Sequence, residues 1–213
     1  MSLSLNEVEA LAKRAARGAG YPWGLAEEAA KATRWLCAQG IDGCAELAAL
    51  LTRTDGADLA DWTPDAGPGG TGWRARGGQL CPLITGAALS DRADSLGRGD
   101  LQIASLVRPL LLLPFAALCA WHLRVPVHIS WGAAKAATDG QSLALHGLAN
   151  DGFAQELTVS AGGAMTQPNR TGSRADPRAE IRATLNRFAG RTFAPASEES
   201  RRKGAGAGLS DND

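Results

Sequence analysis

The chain lacks an excess of charge of either sign. Its 213 residues hold 22 Lys plus Arg against 22 Asp plus Glu, so the whole-chain field that draws a protein onto nucleic acid or an anionic membrane is missing, and no nucleic-acid partner is expected. It also lacks the cysteine spacing of a metal site or disulfide framework. Cys37, Cys44, Cys81 and Cys119 are scattered, with no C-x-x-C pair and no histidine at ligand spacing. Free thiols in a reducing cytoplasm, with no metal and no cofactor, are the expectation.

No secretory leader is expected from the first residues: MSLSLNEVEALAKR puts acid and base within the first turns, where an apolar h-region would stand. The most apolar stretch, residues 107–131, does not make a membrane span. Its uncharged part, residues 109–123, falls short of the roughly 20 residues needed, holds Pro109 and Pro114, and is closed by Arg108 and Arg124. This stretch reads as the centre of the core, and no membrane partner is expected. No Gly-x-Ser-x-Gly elbow is present. Asp55, Asp58 and Asp61 recur every third residue rather than at the alternate positions of an EF-hand loop. The GAGAG run is followed only by Leu209-Ser210-Asp211-Asn212-Asp213, so no helix stands behind it to receive a pyrophosphate.

What is present is patterned. With 45% hydrophobic residues the chain is long enough to bury a core unaided. Ser4 and Glu7 form a capping box before a helix with Val8, Leu11, Ala12 and Ala15 on one face. Pro22 and Gly24 open a second helix, with Leu25, Ala29, Ala32 and Leu36 inward and a Glu27–Lys31 pair outward. Asp42 caps a third, over residues 43–53. Residues 79–85 and 101–107 read as strands. Residues 107–131 parse as a strand over 110–113, a helix begun by Pro114 with Phe115, Leu118, Cys119 and His122 on one face, and a strand burying Val125, Val127, Ile129 and Trp131. Asp139-Gly140 signals a two-residue hairpin pairing residues 130–138 with 141–148 and setting His146 opposite Ala133, on the Trp131 side, an arrangement that a bulge at Gly132 would reverse, and residues 155–160 suggest a further strand. Asp176-Pro177 starts a last helix with Ile181, Leu185 and Phe188 inward. The class is α+β: an N-terminal helical subdomain over residues 1–53, then a body over 54–213 with a mostly antiparallel sheet, a C-terminal helix and an extended tail, together one compact unit.

Three places invite a ligand. The corner Tyr21-Pro22-Trp23-Gly24, flanked by Arg14 and Glu27, joins a helix N-terminus to flat aromatic walls suited to a small polar metabolite. The Gly-, Pro- and Asp-rich segment 54–78 carries Trp62 and Trp73, and the tail carries Ser197, Glu198 and Arg201; either could cover that corner, and the tail could instead reach a second copy of the chain. Only His122, His128 and His146 offer an imidazole, and His128, on the non-core side of its strand, is the candidate acid or base. Arg170, Arg174 and Arg178 surround the last helix's start, where Asp176 is the nearer partner.

Taken together, SLNEVEALAKRAARGAGYPWGLAEEAAKATRWL, RPLLLLPF and TFAPASEESRRKGAGAGLSDND resemble, along the whole chain, a proteobacterial family carrying a domain-of-unknown-function label. That resemblance implies no catalytic residue or substrate. The short N-terminal helices joined at glycines are also similar to those of the type-2 malate/lactate dehydrogenases. Where that family has a Ser-His-Gly catalytic motif, this chain has Ile41-Asp42-Gly43-Cys44, so the resemblance implies at most a degenerate relative. The functional expectation is a small-metabolite-binding enzyme or accessory protein, with a non-catalytic homo-oligomeric or partner-binding module as the alternative.

Overall fold

The computed structural model describes residues 2–66, 70, 72–147, 152–165 and 167–193. Leu3–Ser4 form a short strand, β1, leading into α1, Leu5–Gly18. The capping box is in place: the Ser4 N–H donates to the Glu7 carboxylate at 2.7 Å, and the Glu7 N–H donates to the Ser4 hydroxyl at 3.3 Å. Val8, Leu11, Ala12 and Ala15 are buried against α2, Trp23–Ala38, whose Ala26, Ala29, Ala30 and Ala32 are small enough to let the two helices approach closely. Asp42 caps α3, Gly43–Arg53, accepting from the Ala45 N–H at 3.0 Å.

The sheet is built from β2, Pro64–Ala66, β3, Gly72–Ala75, β4, Leu101–Val107, β5, Val127–Trp131, β6, Ala134–Thr138, β7, Leu143–His146, and β8, Phe153–Ala161, in the spatial order β2-β3-β4-β8-β5-β6-β7. Among the described strands of this sheet only the β3–β4 pairing is parallel. Three further helices, α4 (Pro82–Asp91), α5 (Leu113–Leu123) and α6 (Ala179–Gly190), complete an α+β fold. A final strand, β9, Arg174–Ala175, returns to pair with β1. Most of the buried apolar residues form one cluster that runs from Leu3 to Ala189 and includes Leu113, Phe115, Ala116, Cys119 and Ala120 of α5. Among the described residues no helix is long and apolar enough to cross a membrane.

Several sequence expectations are corrected. Residues 79–85 are not a strand: only Leu80 joins the sheet, through one bridge to Leu106, and Pro82 at the helix start turns the rest into α4. A short apolar run has no period to tell the two apart. Residues 110–113 are likewise not a strand. Arg108 takes a left-handed conformation (φ 46°) and Pro109 then begins a 3-10 turn, Pro109–Leu112, that runs straight into α5.

The span 130–138 is broken after Trp131, where Gly132 (φ 49°) turns β5 back into β6 and pairs Trp131 with Ala134. The Asp139-Gly140 connection is longer than two residues, because the Asp139 carboxylate accepts from the N–H groups of Gln141 and Ser142. His146 therefore stands opposite Lys135, not Ala133. The Glu27–Lys31 pair gives way to two others: Lys31 donates to Glu28, and Glu27 accepts from Lys13 on α1, each at 2.8 Å. Leu118, His122 and Val125 point outward. Leu118 is 48% exposed and Val125 40%, while Phe115, Ala116, Cys119 and Ala120 face the core.

Candidate functional site

The α1–α2 corner divides its aromatics. Tyr21 is fully buried, its hydroxyl within hydrogen-bond distance of the Thr54 hydroxyl at 3.0 Å and the Cys81 thiol at 3.5 Å, and burial pushes its ionisation far above the usual phenol range. Its carbonyl accepts from Arg17. Trp23 turns out to solvent, 64% exposed, and its ring is already faced by Arg17 at 4.6 Å and Lys13 at 5.8 Å. Arg14 is exposed on α1, and Glu27 is held by Lys13. Trp73 lies elsewhere, buried on β3 with Arg92 5.8 Å from its ring, and Trp62 is half-buried at the end of a 3-10 turn. Trp23 and Glu27 are thus joined through Lys13, Tyr21 and Trp73 are buried away from solvent, and Arg14 makes no hydrogen bond, ion pair or ring contact with Trp23 or Glu27 and is simply exposed on α1. Ser197, Glu198 and Arg201 lie outside the described residues.

His128 is the second residue of β5, with Ala137 and Ser160 as cross-strand neighbours. Its Nε2 is buried without a hydrogen-bond partner among the described residues, covered by Gly163, where a Cβ would stand 3.1 Å away. Arg174 donates to the Ser2 hydroxyl and carbonyl, and Arg178 pairs with Glu180 at 3.4 Å, so two of the three arginines near α6 are locally engaged.

The structure assembles a different constellation at the end of α5. An open cleft of about 630 Å³ is lined by Trp121, His122, Arg124, Val125, Pro126 and Asp139. Arg124 ends the helix in a left-handed conformation (φ 58°), which a side chain other than glycine's adopts at a cost. That bend leaves the last helical turn facing outward: Trp121 is 72% exposed. The β6–β7 turn closes the other side, with Gly140 packed so tightly on Trp121 that a Cβ there would lie 3.0 Å from the Trp121 Cβ.

The polar groups of this cleft differ in how far they are committed. His122 Nε2 is 3.0 Å from the Asp94 carboxylate, which fixes the ring's orientation. Asp139 is held below the usual carboxylate range by the Ser142 and Gln141 N–H groups, and so stays ionised. The Arg124 guanidinium has no hydrogen bond or ion pair to a described residue. A cation, a flat indole and a carboxylate-oriented imidazole therefore border one opening.

A second cleft, about 360 Å³, is bordered by Arg53, Gln79, Arg108 and Phe153. Its cations are engaged: Arg53 donates to Gln79 at 2.8 Å, and Arg108 is bound in two-point fashion to the buried carboxylate of Glu46. Sequence reading missed the Trp121 cleft because His122 falls seven residues after Phe115, on what the helical period marks as the buried face. The one available signal was the apolar run's abrupt end at Arg124.

Comparison with known proteins places residues 3–81 in a match to the profile of a family described as "Protein of unknown function (DUF3726)". The match covers α1 to α3 and the segment up to Cys81 rather than the whole chain. No curated protein matches. Among solved structures, the malate dehydrogenase from Entamoeba histolytica is similar with 9% identity and a TM-score of 0.45, over 79% of this chain and 50% of the enzyme. The chain thus spans half the length of that enzyme, and a likeness so distant carries no functional weight.

Proposed function

We propose that the protein binds a small anionic ligand bearing a flat ring, in the cleft between the end of α5 and the β6–β7 turn. One observation carries this reading: a largely exposed indole, Trp121, stands beside Arg124, a cation with no acceptor among the described residues. A guanidinium supplies paired donors for a carboxylate or phosphate, and an indole supplies a stacking face. The left-handed backbone at Arg124 fits a residue kept for binding rather than for stability. If a proton moves during the ligand's turnover, His122 is placed to carry it, oriented by Asp94. Four unpaired buried thiols support a cytoplasmic setting.

The test is a thermal-shift panel of aryl carboxylates and nucleoside monophosphates at millimolar concentration. At least one class should raise the midpoint in the parent protein and fail to do so in Arg124→Ala and Trp121→Ala. No stabilisation by any member would refute the reading.

A second reading is self-association, with a second copy of the chain as the occupant. It is favoured by the exposed apolar side chains of Leu118 and Trp121 on α5 and of Val125 just beyond its end, on a chain of zero formal net charge. Here Trp121→Asp should lower the sedimentation mass. The proposed crossing of the tail is tested separately by deleting residues 196–213, which should lower it as well; an unchanged monomer in both cases rejects this alternative.

A further inference from the structure

The corner between α2 and α3 brings two cysteines together. Cys37 lies in the last turn of α2 and Cys44 in the first turn of α3, and both are buried. The approach is tight because residue 43 has no side chain. A Cβ on Gly43 would lie 2.6 Å from the Thr33 carbonyl oxygen, 3.0 Å from the Leu36 Cβ and 3.3 Å from the Cys37 sulfur. The Cys37 sulfur is thereby set at the amino end of α3, whose first N–H groups point at it.

The two thiols divide the available stabilisation unequally. The Cys44 thiol, with the Gly43 and Cys44 N–H groups, holds Cys37 below the usual thiol range against the opposing effects of burial and the Asp42 carboxylate. Cys44, as the donor, is raised far above it. Cys37 also lines an opening of about 210 Å³, bordered by Gly40, Ile41, Asp42, Arg174 and Asp176. The other two cysteines differ on each count. Cys81 is enclosed and contacts Tyr21. Cys119 donates to the Leu89 carbonyl and is pushed up to about 11 by burial.

We propose that Cys37 and Cys44 form a redox-active dithiol, in which Cys37 is the site attacked by a hydroperoxide and Cys44 closes a disulfide across the α2–α3 corner. In the first step the Cys37 thiolate sulfur attacks the terminal peroxide oxygen. The S–O bond forms, the O–O bond breaks, and the alkoxide or hydroxide leaves after taking a proton, with sulfur oxidised to a sulfenic acid. In the second step the Cys44 sulfur attacks the Cys37 sulfur. The S–S bond forms, the S–O bond breaks, and the hydroxyl departs as water with the Cys44 proton. Two thiols and one hydroperoxide give one disulfide, one alcohol or water, and one further water.

The experiment uses the reduced full chain treated with hydrogen peroxide at pH 7, then denatured, alkylated with N-ethylmaleimide and mapped by mass spectrometry. The expected product carries alkyl groups only on Cys81 and Cys119 and yields a peptide linking Cys37 to Cys44. In Cys44→Ser the reaction should stop at a sulfenic acid that dimedone traps on Cys37. Before oxidation, Cys37 should react with iodoacetamide at least roughly ten-fold faster than Cys81 or Cys119 in the native protein. Four alkylated cysteines after peroxide treatment, or a disulfide containing Cys81 or Cys119, would overturn the proposal. The mapping on the parent protein decides it even where a variant fails to fold.

Discussion

The Glu46 carboxylate accepts from both Nε and a terminal amine of Arg108, joining α3, where Glu46 is buried, to the turn after β4, where Arg108 is partly exposed. Burial nevertheless outweighs the arginine and raises the Glu46 carboxyl above its ordinary range. A carboxyl raised in this way contributes stability while it is protonated, and that contribution is lost as pH rises through its folded value. Arg108→Ala removes the compensating cation and pushes Glu46 higher still. The variant should lose about 3 kcal/mol at pH 7 and recover part of it at pH 5, as Glu46 takes up a proton. Urea titrations at the two pH values check this, and Glu46→Gln added to Arg108→Ala should abolish the pH-dependent recovery.

Arg124 sets ligand binding against stability. Arg124→Gly relieves the left-handed backbone and should raise the unfolding free energy by about 1 kcal/mol, while removing the cation of the Trp121 cleft. A rise in the thermal midpoint together with loss of the ligand-induced shift is the expected pair of results. A drop in the midpoint would show that the guanidinium contributes to folding.

Gly86 on α4 lies flat against Phe115 of α5: a Cβ there would come within 2.2 Å of the ring. Gly86→Ala cannot be absorbed by moving a flexible chain end, because Phe115 is fully buried. A loss of roughly 1–3 kcal/mol is expected from overpacking, read by urea unfolding. Gly86→Ala combined with Phe115→Leu should lose less than the two single changes added together.

The acid limb should report the capping box. Glu7 is held below the usual carboxylate range by the Ser4 N–H and hydroxyl, and Asp55 by Arg191. Lowered groups of this kind support the fold above their unfolded values, and the support is lost as pH falls through the folded ones. Between about pH 5 and 3 the thermal midpoint should fall less steeply in Glu7→Gln and Asp55→Asn than in the parent, since neither variant has that proton to gain.

What could be read from the sequence was whatever had a period or a cap. Ser4 with Glu7 announced α1, Asp42 announced α3 at its observed bounds, and the alternation of Val127, Ile129 and Trp131 announced β5. Local signals failed where neighbours in space decided. Residues 79–85 carry the composition of a strand, but Pro82 and the packing of Leu83 and Leu89 make them a helix. Trp23 and Trp73 look alike in sequence, yet one faces solvent and the other the core, which depends on the strand and helix behind each. The Trp121 cleft is built by a turn more than a dozen residues downstream in the chain, packed back on α5, and no pattern within α5 encodes that.

The β1–β9 ribbon joins Leu3 to Ala175, and Arg174 reaches back to the Ser2 hydroxyl. The helical layer that comes first in the chain therefore cannot be stapled until nearly all of the described residues have been synthesised. Closing a loop of that length costs little more entropy than closing one half as long, but it orders events. The seven-stranded sheet lies between α3 and β9 in the chain, and α6, which packs on α1, follows β9, so the chain's return to its own beginning both staples and covers the first helix.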